Sequence, residues 1–149
     1  MSSSGARTIF AAPMDYSNPR QVAFARQCAA TLSAIAPRLP LTATHGDFQP
    51  RNFLWDQRTR RLALIDFERA EHGPAIRDLV RLEYGTWDKR PQLREAFLDG
   101  YDHHLTDDER QALTCLATLD ALSGLQWGTE HGDTDVIDRA HATLARLLT

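Results

Sequence analysis

The feature that most constrains the fold is the spacing of apolar residues along the second half of the chain. From residue 75 onwards, apolar side chains recur every three or four positions, as on the buried face of an α-helix. Thr106 and Glu109 have the spacing of a capping box, which marks the start of a separate helix. The pattern therefore predicts four helices, over residues 75–84, 91–105, 106–127 and 134–148.

The first half of the chain has a different pattern. Asn18 and Pro19 suit an N-cap and the first position of a helix, and the apolar repeat after them predicts a helix over residues 19–36. Two short apolar runs separated by polar residues then predict an antiparallel β-hairpin, with strands over 53–55 and 62–65. The expected fold class is α+β and mostly α-helical, with one small hairpin packed on a helical bundle.

The chain shows no internal repeat and no linker that would divide it. Residues 1–17 are rich in serine and interrupted by proline, so we expect an irregular N-terminal tail. Residues 18–149 are expected to form one domain.

Composition and charge exclude several classes of protein. The formal net charge is -3, from 17 basic and 20 acidic side chains, so no nucleic-acid partner is expected. No apolar run approaches the roughly 18 residues of a membrane span, which predicts no membrane association. The N-terminus lacks the layout of a secretory signal, and we therefore expect a cytoplasmic protein. The two cysteines, Cys28 and Cys115, have no spacing typical of a metal site or a disulfide framework and are expected to be buried thiols.

Three polar residues flank the predicted hairpin in a pattern typical of phosphoryl transfer. Asn52 lies five positions after Asp47, and Asp66 lies fourteen positions after Asn52, at the end of the second predicted strand. Phosphoryl transfer needs one carboxylate to meet the acceptor hydroxyl, while an asparagine and a second carboxylate hold magnesium on the nucleotide phosphates. The hairpin would bring all three together.

These residues stand in two motifs, His45-Gly46-Asp47 followed by Asn52, and Asp66-Phe67-Glu68. The pair resembles the catalytic and metal-binding motifs of kinases, and with Gly46 and Glu68 at their positions it is similar to the aminoglycoside phosphotransferase and choline kinase group. The resemblance implies a kinase-like C-terminal lobe, in which the β-hairpin carries the catalytic loop and the metal-binding aspartate. It also implies an ATP-dependent kinase that phosphorylates a hydroxyl group of a small, aminoglycoside-like or choline-like acceptor.

The resemblance assigns roles to individual residues. Asp47 would be the catalytic base, and His45 would support the catalytic loop. Asn52 and Asp66 would hold Mg²⁺, with ATP as co-substrate. Among the other matching positions, Gly46 and Asp78 would support the structure. Glu68 would either assist the metal or face the solvent.

The nucleotide-binding lobe of a complete kinase has no counterpart in this sequence. The only lysine, Lys89, follows the motifs, and Gly5 is the only glycine before Gly46, so neither a phosphate-pairing lysine nor a glycine-rich loop precedes Asp47. We therefore expect the N-terminal lobe to be absent. Three hypotheses stay open: a separate lobe or self-association restores transfer, the chain is a catalytically impaired remnant of a truncated kinase, or it is a non-enzymatic module that binds a small ligand.

Overall fold

The computed structural model describes residues 18–149, and the tail expected over residues 1–17 lies outside them. The described residues combine α-helices with two antiparallel pairs of short strands, which confirms the predicted α+β, mostly helical class. The helices are α1 (Pro19–Ile35), α2 (Pro91–Tyr101), α3 (Asp107–His131) and α4 (Thr134–Leu147). The strands are β1 (Leu41–Thr44), β2 (Phe53–Asp56), β3 (Arg61–Leu64) and β4 (Glu71–Pro74).

The predicted hairpin is present, and a second strand pair accompanies it. Strands β2 and β3 pair antiparallel, with Phe53 opposite Leu64 and Asp56 opposite Arg61. Strands β1 and β4 also pair antiparallel, and sequence analysis did not predict them. Strand β4 has no apolar alternation, and β1 alternates Leu41 and Ala43 with threonines over only four residues, so the tertiary pairing is what reveals them.

Three helix predictions need correction. The helix predicted over 106–127 extends to His131, four residues beyond its predicted end. The segment predicted as a helix over 75–84 is a 3₁₀ turn, Ala75–Leu79, followed by a π-helical turn, Leu82–Thr86, in which the Trp87 N–H donates to the Leu82 carbonyl at 2.7 Å. The helix predicted to reach residue 105 ends at Tyr101, because the next residue adopts a left-handed φ of 52°.

The described chain forms two compact units. The chain passes from one unit to the other after Ile35, at the end of α1, and again after Leu113, inside α3. One unit comprises residues 18–35 and Thr114–Thr149. Its two cysteines are buried and free, as predicted. Its core contains aliphatic side chains from α1, α3 and α4: Ala25, Ala121, Leu122, Leu125, Ala140 and Leu144.

The other unit, Ala36–Leu113, contains both strand pairs and α2. All residues of the predicted catalytic motifs belong to this unit. Within residues 18–149, every helix is too short or too polar to cross a lipid bilayer.

Candidate active site

The loop that follows β1 is anchored by the carboxylate of Asp78. One carboxylate oxygen accepts the His45 backbone N–H at 2.7 Å, and the other accepts the Gly46 backbone N–H at 2.9 Å. Asp78 itself lies in the 3₁₀ turn that follows β4. The pairing of β1 with β4 thus brings Asp78 to the loop, although it lies more than 30 positions further along the chain. The supporting role expected of Asp78 remains a prediction, and this is the contact through which it would act.

Gly46 occupies a position that only glycine fits. Its φ is +80°, and a Cβ built on it would lie 2.2 Å from the backbone carbonyl oxygen of Arg69. Both the left-handed conformation and the close approach of another backbone segment exclude a larger side chain. Glycine therefore allows the loop to turn directly before Asp47.

His45 connects this loop to the end of the hairpin. Its ring is buried and packs against Phe67 at a centroid distance of 4.6 Å. Its Nδ1 accepts the Asp47 backbone N–H at 3.3 Å, so Nε2 carries the proton that is donated to the Ile65 carbonyl at 2.9 Å. The ring thereby links the backbone of Asp47 to that of Ile65.

The residue before Asp66 joins the two motifs. The Ile65 N–H donates to the Asn52 carbonyl at 3.0 Å, while the Ile65 carbonyl accepts from His45. Asp66 follows with a φ of 65°, the left-handed region that a non-glycine residue seldom adopts, and its side chain is exposed. The structure therefore holds the backbone of Asp66 next to the loop that carries Asp47 and Asn52.

Asp47 is buried and surrounded by donors. One carboxylate oxygen accepts from Arg51 at 2.7 Å and from the Asn52 amide at 3.0 Å. The other accepts from the Gln49 amide and lies 3.6 Å from the Arg81 guanidinium. Burial favours the neutral acid, but the hydrogen bonds from Arg51 and Asn52 and the charges of the two arginines outweigh burial and lower the pKa of Asp47.

Asn52 and Asp66 supply the oxygen donors that a hard cation such as Mg²⁺ prefers. The amide nitrogen of Asn52 donates to the Asp47 backbone carbonyl at 2.8 Å and to its carboxylate, so the amide oxygen is the atom that could bind a cation. Among residues 18–149, no three histidine, cysteine or acidic side chains cluster as a metal site would require. The donor types therefore fit magnesium, with the remaining ligands to come from nucleotide phosphates and water.

Glu68 lies in the exposed turn that follows Asp66, where the Ala70 N–H donates to the Phe67 carbonyl at 2.9 Å. No hydrogen bond described for residues 18–149 joins its side chain to Asp47, Asn52 or Asp66. A role for Glu68 at the metal remains a prediction.

Sequence analysis missed three side chains that contact the Asp47 carboxylate: Gln49, Arg51 and Arg81. Gln49 and Arg51 lie between Asp47 and Asn52, at positions that the first motif does not specify, and Arg51 pairs with Asp47 at a separation of four residues. That spacing is a local signal that could have identified Arg51. No sequence pattern indicates Arg81, since its contact with Asp47 depends on the tertiary fold.

A cavity of about 580 Å³ lies beside the loop. Its volume is within the range of small-molecule sites. It borders the loop through Phe48, the residue that follows Asp47, and it extends to α2. Its lining is mainly apolar and aromatic: Thr42, Ala43, Phe48, Ala75, Asp78, Leu79, Ala96, Phe97, Gly100 and Tyr101.

Comparison with known proteins identifies the family. No curated protein and no solved structure matches the chain. The sequence profile of the phosphotransferase enzyme family, APH, matches residues 9–115, which include every predicted site residue. The match covers more than half of the chain and agrees with the resemblance of the two motifs. The chain therefore belongs to the phosphotransferase enzyme family.

Proposed function

We propose that this chain is the C-terminal lobe of a small-molecule kinase, which transfers the γ-phosphate of ATP to a hydroxyl group of a small acceptor. One observation carries the proposal: hydrogen bonds link the loop with Asp47 and Asn52 to the residue before Asp66, and these are the residues to which we assign phosphoryl transfer. Asn52 donates to Asp47, and the Ile65 backbone joins the residue before Asp66 to Asn52 and to His45. Family membership supports the reaction type.

In this proposal Asp47 receives and orients the acceptor hydroxyl. The lowered pKa of Asp47 keeps its carboxylate ionised at neutral pH, so it can accept a hydrogen bond from the hydroxyl. The main effect of such a group in phosphoryl transfer is to position the attacking oxygen in line with the phosphorus atom. His45, Gly46 and Asp78 hold the loop that carries the carboxylate.

Asn52 and Asp66 would hold magnesium through their side-chain oxygens. When bound, the cation neutralises charge on the transferring phosphoryl group. The exposed side chain of Asp66 and the ordered backbone beside it suit a ligand that meets its cation together with a nucleotide.

The proposal also includes an additional nucleotide-binding lobe outside residues 18–149, or self-association of the chain, to complete the nucleotide site. Lys89, the only lysine in the chain, lies in the turn that follows Trp87, with a φ of 58°. It is not part of the loop that contains Asp47. A phosphate-pairing lysine would thus come from the additional lobe.

The first test is calorimetric titration of the purified chain with ATP in the presence and absence of Mg²⁺. We expect magnesium-dependent binding that is lost in Asp66→Ala. Asp120→Ala removes an exposed carboxylate on α3 that belongs to neither motif, and serves as the matched control. Equal binding by wild type and Asp66→Ala would contradict the role of Asp66.

The second test measures phosphate transfer from ATP, in the presence of Mg²⁺, to aminoglycosides and to choline. Asp47→Asn keeps the size of the side chain but removes its charge, so we expect phosphate transfer to fall by at least about 100-fold, as for the loss of a group of this kind. Nucleotide affinity should stay close to that of wild type. Transfer that persists in this variant would remove Asp47 from the reaction.

A further inference from the structure

Every oxygen of the Asp47 carboxylate already has a partner. Arg51 and Asn52 donate to one oxygen at 2.7 and 3.0 Å, and Gln49 donates to the other, which Arg81 also faces at 3.6 Å. An acceptor hydroxyl needs one of these oxygens as its hydrogen-bond acceptor. Because these partners leave only 5% of the Asp47 side chain exposed, a group that covers it must move before an acceptor hydroxyl can reach the carboxylate.

Arg51 is the more exposed of the two arginine side chains that face Asp47. Its side chain is 66% exposed, whereas the Asp47 side chain is 5% exposed. Asn52 is buried and also holds the Asp47 backbone carbonyl at 2.8 Å, so its departure would disrupt the loop. Arg51 has a long side chain already in water, and its release leaves the backbone contacts of the loop intact.

The terminal phosphate of a nucleoside triphosphate is a stronger hydrogen-bond acceptor for Arg51 than the Asp47 carboxylate. The transferred phosphoryl group must come within bonding distance of the acceptor oxygen that Asp47 holds, which places it beside the Arg51 guanidinium. A terminal phosphate carries more negative charge than one carboxylate and accepts paired hydrogen bonds from a guanidinium. Arg51 also lies close enough to Asp66, the predicted metal ligand, for the charge of Asp66 to act on it.

We propose that Arg51 covers the Asp47 carboxylate in the nucleotide-free protein and moves to the terminal phosphate when a nucleoside triphosphate binds. This movement frees Asp47 for the acceptor hydroxyl. This inference rests on the proposed function and adds an order of binding, with nucleotide before acceptor. It also assigns Arg51 to the recognition of the terminal phosphate of the triphosphate.

The test compares Mg²⁺-ATP and Mg²⁺-ADP affinities of wild type, Arg51→Ala and Arg58→Ala by calorimetry. Arg58 is an exposed arginine in the turn between β2 and β3 and controls for the loss of one positive charge. We expect Arg51→Ala to weaken ATP binding about tenfold or more, the effect of losing a hydrogen bond between charged groups, and to leave ADP binding unchanged. Arg58→Ala should alter neither, and Arg51→Lys should recover part of the ATP affinity.

Each other outcome has a distinct meaning. If Arg51→Ala weakens ATP binding and ADP binding equally, or weakens neither, the assignment of Arg51 to the terminal phosphate is overturned while the proposed function stands. Failure of wild type to bind either nucleotide would overturn the inference, which needs this lobe to bind the triphosphate by itself, whereas the proposed transfer in the presence of an additional lobe would stand.

A labelling experiment tests the same movement without a substitution. Phenylglyoxal modifies accessible arginines, and peptide mass mapping can follow Arg51 and Arg58 in the same sample. Mg²⁺-ATP should slow modification of Arg51 severalfold and leave Arg58 unchanged, whereas Mg²⁺-ADP should protect neither. Equal protection of Arg51 by both nucleotides, or by neither, would contradict the proposal.

Discussion

Gly46 provides a test of how narrowly the loop geometry is defined. We expect Gly46→Ala to lower the free energy of unfolding by about 2–4 kcal/mol, because it combines a left-handed conformation with a clash against the Arg69 carbonyl. Gly100→Ala is the matched control, since Gly100 lies in α2 with open space around its Cα. This control substitution should raise the free energy of unfolding by about 0.5–1 kcal/mol. Urea denaturation measures both, and a Gly46→Ala variant as stable as wild type would show that the loop is more adaptable than its geometry indicates.

The pairing of Arg51 with Asp47 makes a second prediction at this scale. The hydrogen bond from Arg51 is the largest influence that lowers the pKa of Asp47, so Arg51→Ala should raise that pKa. The ¹³C chemical shift of the Asp47 carboxyl carbon, followed against pH, measures the change. Arg58→Ala should leave the titration of Asp47 where it is in wild type. An unchanged titration midpoint in Arg51→Ala would mean that Asn52 and Arg81 keep the pKa of Asp47 low without Arg51.

The candidate site was partly predictable because its main residues have fixed spacing in the sequence. Asp47 and Asn52 lie on one short loop, so five positions of separation were enough to place them together. The environment of Asp47 was not predictable in the same way. Arg81 reaches Asp47 from a distant turn, and the tautomer of His45 depends on the backbone of Ile65.

The start of α3 carries a capping box that was evident in the sequence and is present in the structure. The Glu109 N–H donates to the Thr106 hydroxyl at 3.2 Å, and the Thr106 N–H donates to the Glu109 carboxylate at 2.7 Å. Burial would raise the pKa of Glu109, but the Thr106 N–H and His103 outweigh it and lower the pKa below its ordinary value of 4.5. Ionised Glu109 therefore stabilises the fold above that value, and the stabilisation is lost as the pH falls through the lower folded-state pKa.

Substitution of Glu109 should reveal this dependence. We expect Glu109→Gln to lower the free energy of unfolding at pH 7 by about 1 kcal/mol, in the range of a lost helix cap. The difference from wild type should shrink as the pH is lowered below 4.5, because wild-type Glu109 then becomes neutral too. Urea denaturation at several pH values measures it. A constant difference from pH 7 to pH 3 would show that the charge of Glu109 does not contribute.

The elements differ in how much of their stability is local, and this decided which were predictable. Helix α3 has its own cap and a long apolar repeat, and β2 and β3 have apolar runs joined by a turn. Strand β1 has no such pattern and is held by long-range contacts, including the Thr44 hydroxyl, which donates to the Glu71 carbonyl at 2.8 Å. The π-helical turn before Trp87 likewise follows from its surroundings rather than from a sequence signal.

At the scale of the whole molecule, one of the two boundaries between the units lies within α3 instead of in a linker. Unfolding of one unit would unwind part of a helix whose remaining residues belong to the other unit, so we expect both to unfold together. Leu144→Ala, at a fully buried position in α4, should lower the free energy of unfolding by about 2–5 kcal/mol. Hydrogen exchange should show this loss equally at amides of α1 and of α2. Leu41→Ala, at a 60% exposed position, should change the free energy of unfolding measured at amides of either helix by no more than about 0.5 kcal/mol. Loss of protection limited to α1 and α4 would mean that the unit with the candidate active site folds independently of the other.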